Sequence, residues 1–373
     1  MTDAVQLPQG SSNAPAGRER GALTSSEIWW RDHQPWLRER GYLLRPRYTL
    51  DWVPSWKITG KRWWRCEDAY GPTRAVIMDA ARALDGEMVV LKQVRKSRHP
   101  YEVDIAVYFS SEPLRSDARN HCIPVYEVLD VPDDPDLHLL VMPFLRPFDD
   151  PRMETIGEAV EFFKQIFEGL QFMHEHHVAH RDCMVLNIMM DPKPLYPDMY
   201  HPQVTDMKRD FSGDAKRFTR TKRPTRYMLI DFGLSRRYGI EEISPLEDPI
   251  WGGDKTVPEF LRSNDPCNPF PTDIYYLGNM IRETFLEATR GLEFMEPLVT
   301  DMVQDDPSRR PPIQQVADRF AKLLSSLKGR QLRSRLIYVK EDPALRFFRD
   351  VRHFFLTSYY LLARYPALPT PKS

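Results

Sequence analysis

The chain is poor in cysteine: Cys66, Cys122, Cys183 and Cys267 are scattered through 373 residues with no CxxC spacing. That argues against a disulfide framework and against a cysteine-ligated zinc site, and it points to reduced thiols in a cytoplasmic or nuclear compartment. An excess of either charge is also lacking. Lys plus Arg (52) nearly cancels Asp plus Glu (53), so no global field favours nucleic acid or a membrane surface as partner. No apolar run reaches membrane-spanning length, and the opening segment, MTDAVQLPQGSSNAPAGRER, has no apolar core to serve as a signal peptide. A soluble protein is expected. The most lipid-like stretch, Phe354 to Ala363, is broken by Thr357, Ser358 and two tyrosines, and reads as a packed terminal helix.

What the sequence does contain is enough apolar material, 42% of residues, for one large two-lobed unit with additions at its ends. Residues 1–22, rich in Gly, Ser, Pro, Ala and Gln, cannot offset ordering entropy by burial and are expected to be a disordered tail. Helix-start signals at Ser25 and Ser26 open an accessory extension over 23–60, in which Pro35 interrupts the helical pattern. From Arg74 to Val94, two β-prone runs flank an Asp85-Gly86 turn and predict a hairpin. Another strand-like run, LHLLVMPFL, ends near Leu145. Thr155 and Glu158 have capping-box spacing ahead of Val160, Phe163, Phe167 and Leu170, which share one face of a long helix. Asp273 to Leu286 and Ile313 to Leu327 read as further helices. Strands first and helices later give an α+β class with segregated lobes: a small lobe over 61–144 and a larger one over 145–328. The larger lobe carries a loop-like basic insertion at about 191–226, and an extension over 329–373 follows it.

The chemistry concentrates in His180-Arg181-Asp182-Cys183-Met184-Val185-Leu186-Asn187 and in Asp231-Phe232-Gly233, which follows the apolar strand YMLI. These motifs, in this order, resemble the protein kinase superfamily over about Arg74 to Leu327. The resemblance implies a bilobal fold, with a small antiparallel β lobe plus a helix and a mainly helical second lobe. It also implies ATP and Mg²⁺ as cofactors. Phosphoryl transfer needs an in-line hydroxyl and metal ions that neutralise the triphosphate, so acidic groups must approach from two loops. By resemblance Asp182 orients the substrate hydroxyl, Asn187 and Asp231 hold metal, and Lys92, in Val89-Val90-Leu91-Lys92, pairs with the α- and β-phosphates. The lysine's acidic partner is Glu102 or Asp104. Glu102 is preferred because it places Ile105, Ala106 and Phe109 on the apolar face of a helix. Met142 is expected at the back of the adenine pocket. Pro143, which keeps its carbonyl but has no N–H, and Leu145 are expected as hinge contacts. Ile77, Gly71 and Met189 complete the expected nucleotide contacts. Val257-Pro258-Glu259, Asp273 to Gly278 and Arg310 match supporting motifs: Glu259 would pair with Arg310, and Asp273 would brace the catalytic loop. Arg181 often pairs in this family with a phosphorylated loop residue, for which Ser235, Tyr238, Ser244 and Thr256 are candidates.

Two departures weaken the match. The stretch expected to be glycine-rich, Tyr70-Gly71-Pro72-Thr73-Arg74-Ala75, has one glycine and a proline, so fewer backbone N–H groups can approach phosphate. Met184 stands where a phosphate-contacting lysine is common. One remedy is that a cation of the insertion, among Lys208, Arg209, Lys216, Arg217, Arg220, Lys222, Arg223 and Arg226, folds back in its place. His174, His176, His177 and His180 lack a companion carboxylate motif for metal, and Cys183 reads as a small packed side chain. Three functions follow in order: a protein kinase acting on Ser or Thr hydroxyls of a protein substrate, a pseudokinase scaffold for a signalling partner, and a small-molecule phosphotransferase.

Overall fold

The computed structural model describes residues 21–250 and 252–372, so all but the last two positions of the expected tail lie outside the described residues. Two lobes are built on either side of a cleft. The small lobe is a five-stranded antiparallel sheet in the order β1-β2-β3-β5-β4, formed by β1 (Tyr42–Leu43), β2 (Ile77–Arg82), β3 (Met88–Arg95), β4 (Glu127–Asp130) and β5 (Leu137–Pro143). The β2–β3 hairpin turns at Gly86 with φ +72°, as the Asp-Gly signal predicts.

The segment read as an accessory extension is part of this lobe. Helix α1 (Ser25–Asp32) is capped by Thr24, one residue ahead of the expected start, with Glu27 closing the capping box. Pro35 begins a second piece, α2 (Gln34–Glu39), instead of continuing the first. Strand residues alternate faces. Val89, Leu91, Leu139 and Val141 pack with Trp30, Leu37 and Tyr48 above the sheet, while Val90 and Lys92 face the cleft. The extension therefore covers a sheet face that would otherwise be bare, and β1 supplies its edge.

Between β1 and β2 lies an excursion over residues 44–76, with the short helix α3 (Ser55–Thr59) inside it. This excursion stands where a tight phosphate loop is expected. Asp68 gathers it by accepting from Trp52 Nε1 (2.9 Å), Ser55 N (2.8 Å) and Ser55 Oγ (2.5 Å). Arg47 ties it to α1 through Glu27 (2.7 Å), and Arg45 ties it to β2 through Asp79 (2.8 Å). Helix α4 (Glu102–Ser110) follows β3.

The larger lobe is organised around α5 (Ile156–Glu175), whose apolar face is buried as its period-3.6 pattern predicts. Helices α6 (Pro258–Arg262), α7 (Pro269–Ile281), α8 (Glu296–Met302), α9 (Ile313–Ser326) and α10 (Gly329–Arg333) complete the lobe. Short strands β6 (Arg146–Pro147), β8 (Ile188–Met190) and β9 (Tyr227–Leu229) form the cleft floor, and β7 (Val178–Ala179) pairs with β10 (Arg236–Arg237). Beyond them β11 (Thr289–Arg290) pairs with β12 (Ile337–Tyr338), ahead of a last helix, α11 (Pro343–Leu362). The expected terminal helix exists, but it is packed on one side only: Tyr360 is buried, whereas Phe354 and Phe355 are exposed. Among the described residues no helix is long and apolar enough to cross a membrane.

The insertion over 191–226 joins β8 to β9 and crosses to the small lobe. Phe211 stacks on Tyr70 (5.6 Å between centroids), and Gln203 Nε2 donates to Asp79 Oδ1 (3.4 Å). His201, fully buried, lies 3.4 Å from Arg45 Nη1 and 3.5 Å from Glu67 Oε1. The insertion is thus an ordered strap between the lobes.

Glu27 and Arg47 are both almost completely buried. Replacing one partner leaves the other charge buried and unpaired. Glu27→Ala is expected to lower stability by about 3–5 kcal/mol in urea unfolding.

Candidate active site

The cleft encloses about 560 Å³, a size suited to a nucleotide-sized ligand. Its roof is Ile77, Val90 and Met142, its rear edge Pro143 to Leu145, and its floor Ile188 and Met189. Every adenine-pocket residue expected from the sequence lines it except Gly71. That glycine faces away, where a Cβ would meet Glu27 Oε1. The mouth is bounded by Pro72, Thr73 and Arg74 on one side and by Tyr200, Pro202 and Gln203 of the strap on the other.

At the inner end, Lys92 Nζ bonds Glu102 Oε1 and lies 2.8 Å from Asp231 Oδ1. The sequence left Glu102 and Asp104 both open, and the structure selects Glu102. This residue is the first of α4, so the short sequence interval from Lys92 reflects a helix that starts late. Burial alone would push Lys92 down, but the two carboxylates outweigh it and hold the ammonium above its ordinary value. Burial would likewise raise Asp231, and Lys92 overrides it to hold that carboxyl low. Asp231 sits at φ +65°, an uncommon conformation that turns its side chain toward the lysine.

The catalytic-loop residues converge nearby. Asn187 Nδ2 donates to Asp182 O (2.9 Å) and to Asp182 Oδ2 (2.8 Å), which leaves Asn187 Oδ1 as an acceptor. Asp231 uses Oδ1 for Lys92 and for Gly233 N, which leaves Oδ2. The pairing of β8 with β9, with Ile188 opposite Leu229, continues in a bond from Ile230 N to Asn187 O (2.9 Å), which puts Asn187 opposite the residue before Asp231. Two hard oxygens so placed fit Mg²⁺, which takes one or two protein oxygens and completes its shell with phosphate and water. Among the described residues there is no cluster of three or more His, Cys, Asp or Glu that would hold a metal by itself.

The supporting contacts fall where the motifs place them. Asp273, wholly buried, accepts from His180 N (2.7 Å) and Arg181 N (2.6 Å). Its third contact, His174 Nε2 at 3.0 Å, gives a job to a histidine for which the sequence offered none. Arg310 forks onto Glu259 at 2.6 and 2.8 Å. Cys183 is buried, and burial pushes its thiol well up, so it is a packed side chain. Among the described residues Arg181 makes no direct hydrogen bond to a hydroxyl of the loop after Asp231. Its guanidinium pairs with Glu247 at 3.0 Å and donates to Asp248 O at 3.0 Å, and the Tyr238 hydroxyl donates to the same Glu247 (3.1 Å). Backbone bonds in both directions between Glu247 and Cys267 fix that carboxylate.

None of the eight insertion cations named above lines the cleft. Arg220, for example, is buried against Phe148 O (2.7 Å), and Arg226 caps Ala118 O (3.1 Å). The fold-back remedy is therefore not what the chain uses. Among the described residues, the cations lining the cleft are Arg74, Lys92 and Arg146. Lys92 is occupied by its two carboxylates. Arg146 is held by Asp150 (2.8 Å) between the rings of Tyr196 and Tyr200. Arg74 is exposed and has no acidic partner among the described residues. Because Ile77 pairs with Lys92, the residues just before Ile77 overhang the lysine end of the cleft. Sequence reasoning missed Arg74 as a site residue, although its place ahead of β2 was a usable signal. It also missed Gly252 and Gly253. Gly253 N donates to Asp182 Oδ1 (3.0 Å), Met184 packs against Gly253, and a Cβ on Gly252 would fall 2.6 Å from Asp182 Oδ1.

A family model, the protein kinase domain, matches residues 73–290, more than half of the chain. NUAK family SNF1-like kinase 1 of Mus musculus is 25% identical over 126 residues, 32% of this chain and 19% of that protein. NUAK family SNF1-like kinase 2 of Rattus norvegicus is 28% identical over 119 residues, 30% and 18% respectively. The chain thus matches about a fifth of the length of these curated relatives.

The Glu259–Arg310 pair supplies an acid-sensitive check. Burial would raise the Glu259 carboxyl, but Arg310 holds it below its ordinary value. Its stabilisation is present above the usual glutamate range and is lost as pH falls through the depressed folded-state value. Glu259→Gln is expected to cost about 3–5 kcal/mol near neutrality. In urea titrations at acid pH the difference from the parent protein should shrink.

Proposed function

Because the chain belongs to the protein kinase family, we propose that it is an ATP- and Mg²⁺-dependent kinase acting on serine or threonine hydroxyls of a protein. The observation that carries this reading is the assembled Lys92–Glu102–Asp231 triad in the cleft, together with the bonded Asn187–Asp182 pair on the loop whose Val185, Leu186 and Ile188 line that cleft. Pro143 O accepts from the adenine amino group and Leu145 N–H donates to the ring, with Met142 behind them. Lys92 contacts the α- and β-phosphates. Asn187 Oδ1 and Asp231 Oδ2 would hold Mg²⁺, which would neutralise charge on the phosphates. Asp182 orients the incoming hydroxyl and takes its proton. The hydroxyl oxygen forms a bond to the γ-phosphorus as the bond to the bridging oxygen breaks, and ADP leaves. Arg74 supplies the side-chain cation where glycine N–H groups are few and Met184 offers none. The Glu259–Arg310 anchor of the segment after Asp231 supports a protein substrate over a small molecule.

A second reading, a nucleotide-binding scaffold without transfer, is favoured by one observation: Gly253 N–H occupies an oxygen of Asp182 that the substrate hydroxyl needs. Labelled-phosphate transfer to a panel of protein substrates separates the two. Asp182→Asn is expected to reduce transfer by about 10²–10⁴-fold while ATP still binds, and Asp231→Ala to abolish Mg²⁺-dependent ATP binding in thermal shift. Binding with no transfer that depends on Asp182 would leave the scaffold. Arg74→Ala is expected to lower kcat/KM for ATP by about 10²-fold and to leave adenosine binding unchanged. Equal losses for ATP and adenosine would remove Arg74 from the phosphate site.

A further inference from the structure

Helix α11 lies outside the stretch that matches the kinase family, and its outward side repeats every seven residues. Phe347-Phe348, Phe354-Phe355 and Leu361-Leu362 recur at that interval, with Ala344, Val351 and Ser358 each three residues ahead of a pair. The four phenylalanines are 64%, 68%, 67% and 67% exposed, and Leu361 and Leu362 are 57% and 85% exposed. With aromatic side chains of roughly 150–250 Å², the stripe presents on the order of 900 Å² of apolar surface. A monomer seldom leaves more than roughly 300–600 Å² in one patch, whereas a stable interface takes about 800 Å² from each partner.

A seven-residue apolar repeat is the pattern of a helix packed against another helix. We propose that α11 pairs antiparallel with α11 of a second copy of this chain. Symmetry and volume argue for self-pairing. About a two-fold axis at the helix midpoint, between Arg352 and His353, Ala344 faces Leu361 of the other copy, Val351 faces Phe354, and Ser358 faces Phe347. Each small residue meets a large one, which is how facing layers fill space without voids. The only polar member, Ser358, donates its hydroxyl to Phe354 O in its own helix (2.9 Å) and so presents little unmet polarity.

Other coverings fit less well. A helix lying on an anionic membrane keeps basic side chains free along its flanks, but here they are engaged: Arg349 with Glu341 (2.6 Å), Arg352 with Glu154 (3.0 Å) and Arg346 with Asp350 (3.9 Å). Residues 1–20 offer only Met1, Val5 and Leu7 as large apolar groups, too few to cover the stripe.

The test is sedimentation of the full chain at micromolar concentration. The parent protein is expected at twice its 43.8 kDa mass. The double variant Phe347→Asp/Phe354→Asp is expected at the single mass with its ATP binding and melting temperature retained. Register is read in a Cys267→Ser background, where Val351→Cys/Phe354→Cys should form an interchain disulfide on mild oxidation and Val351→Cys alone should not. A parent protein that is monomeric overturns the proposal, whether it floats with phosphatidylserine vesicles or stays in solution. So does a dimer that the double aspartate variant leaves intact, or a cross-link through Val351→Cys alone.

Discussion

One ammonium group holds three elements together. Lys92 comes from the middle of the sheet, Glu102 from the first turn of α4, and Asp231 from the loop beyond β9. The ammonium has to lie within reach of both carboxylates, since without it two like charges would stand uncompensated in a low-dielectric cleft. The position of α4 against the sheet and the turned conformation of Asp231 both answer to this requirement. The floor of the cleft follows, because Asn187 bonds across the β8–β9 pairing to Ile230, the residue before Asp231.

How much of this was readable beforehand depended on whether a contact is local or encoded in a motif. The β2–β3 hairpin, the cap of α5 and the lining positions Ile77, Met142 and Met189 follow from periodicity, turn chemistry and family order. Choosing Glu102 over Asp104 was within reach of helical-face reasoning because Ile105, Ala106 and Phe109 mark the buried side. Gly71 misled because one glycine near the right place was taken for a remnant of a phosphate loop. In the fold that loop is a 44–76 excursion, and Gly71 is there so that the backbone can pass Glu27. The strap was legible only as a weakly periodic insertion. Its contacts, Gln203 with Asp79 and Phe211 with Tyr70, join residues far apart in sequence, and no local pattern announces them.

Electrostatic roles were reassigned more than they were lost. Arg220 and Arg226 of the insertion cap backbone carbonyls, Lys222 and Arg223 lie over Phe218, and among the described residues the cleft takes its unpaired positive charge from Arg74. Arg181 finds Glu247, whose position is set by backbone bonding to Cys267. A carboxylate already fixed by the fold neutralises a buried guanidinium without any added phosphate, so the segment after Asp231 has an internal reason to be ordered.

The strap alters what opening the cleft entails. Two lobes joined only at a hinge can part freely, with a glycine-rich flap rising and falling over the contents. Here the flap is replaced by a folded excursion, and the opposite lobe is fastened to it through His201, Gln203 and Phe211. Widening the mouth means breaking a stacked ring pair and several polar contacts together. Entry to this cleft and exit from it therefore run past a latch between the lobes, so opening is a property of the strap as much as of the pocket.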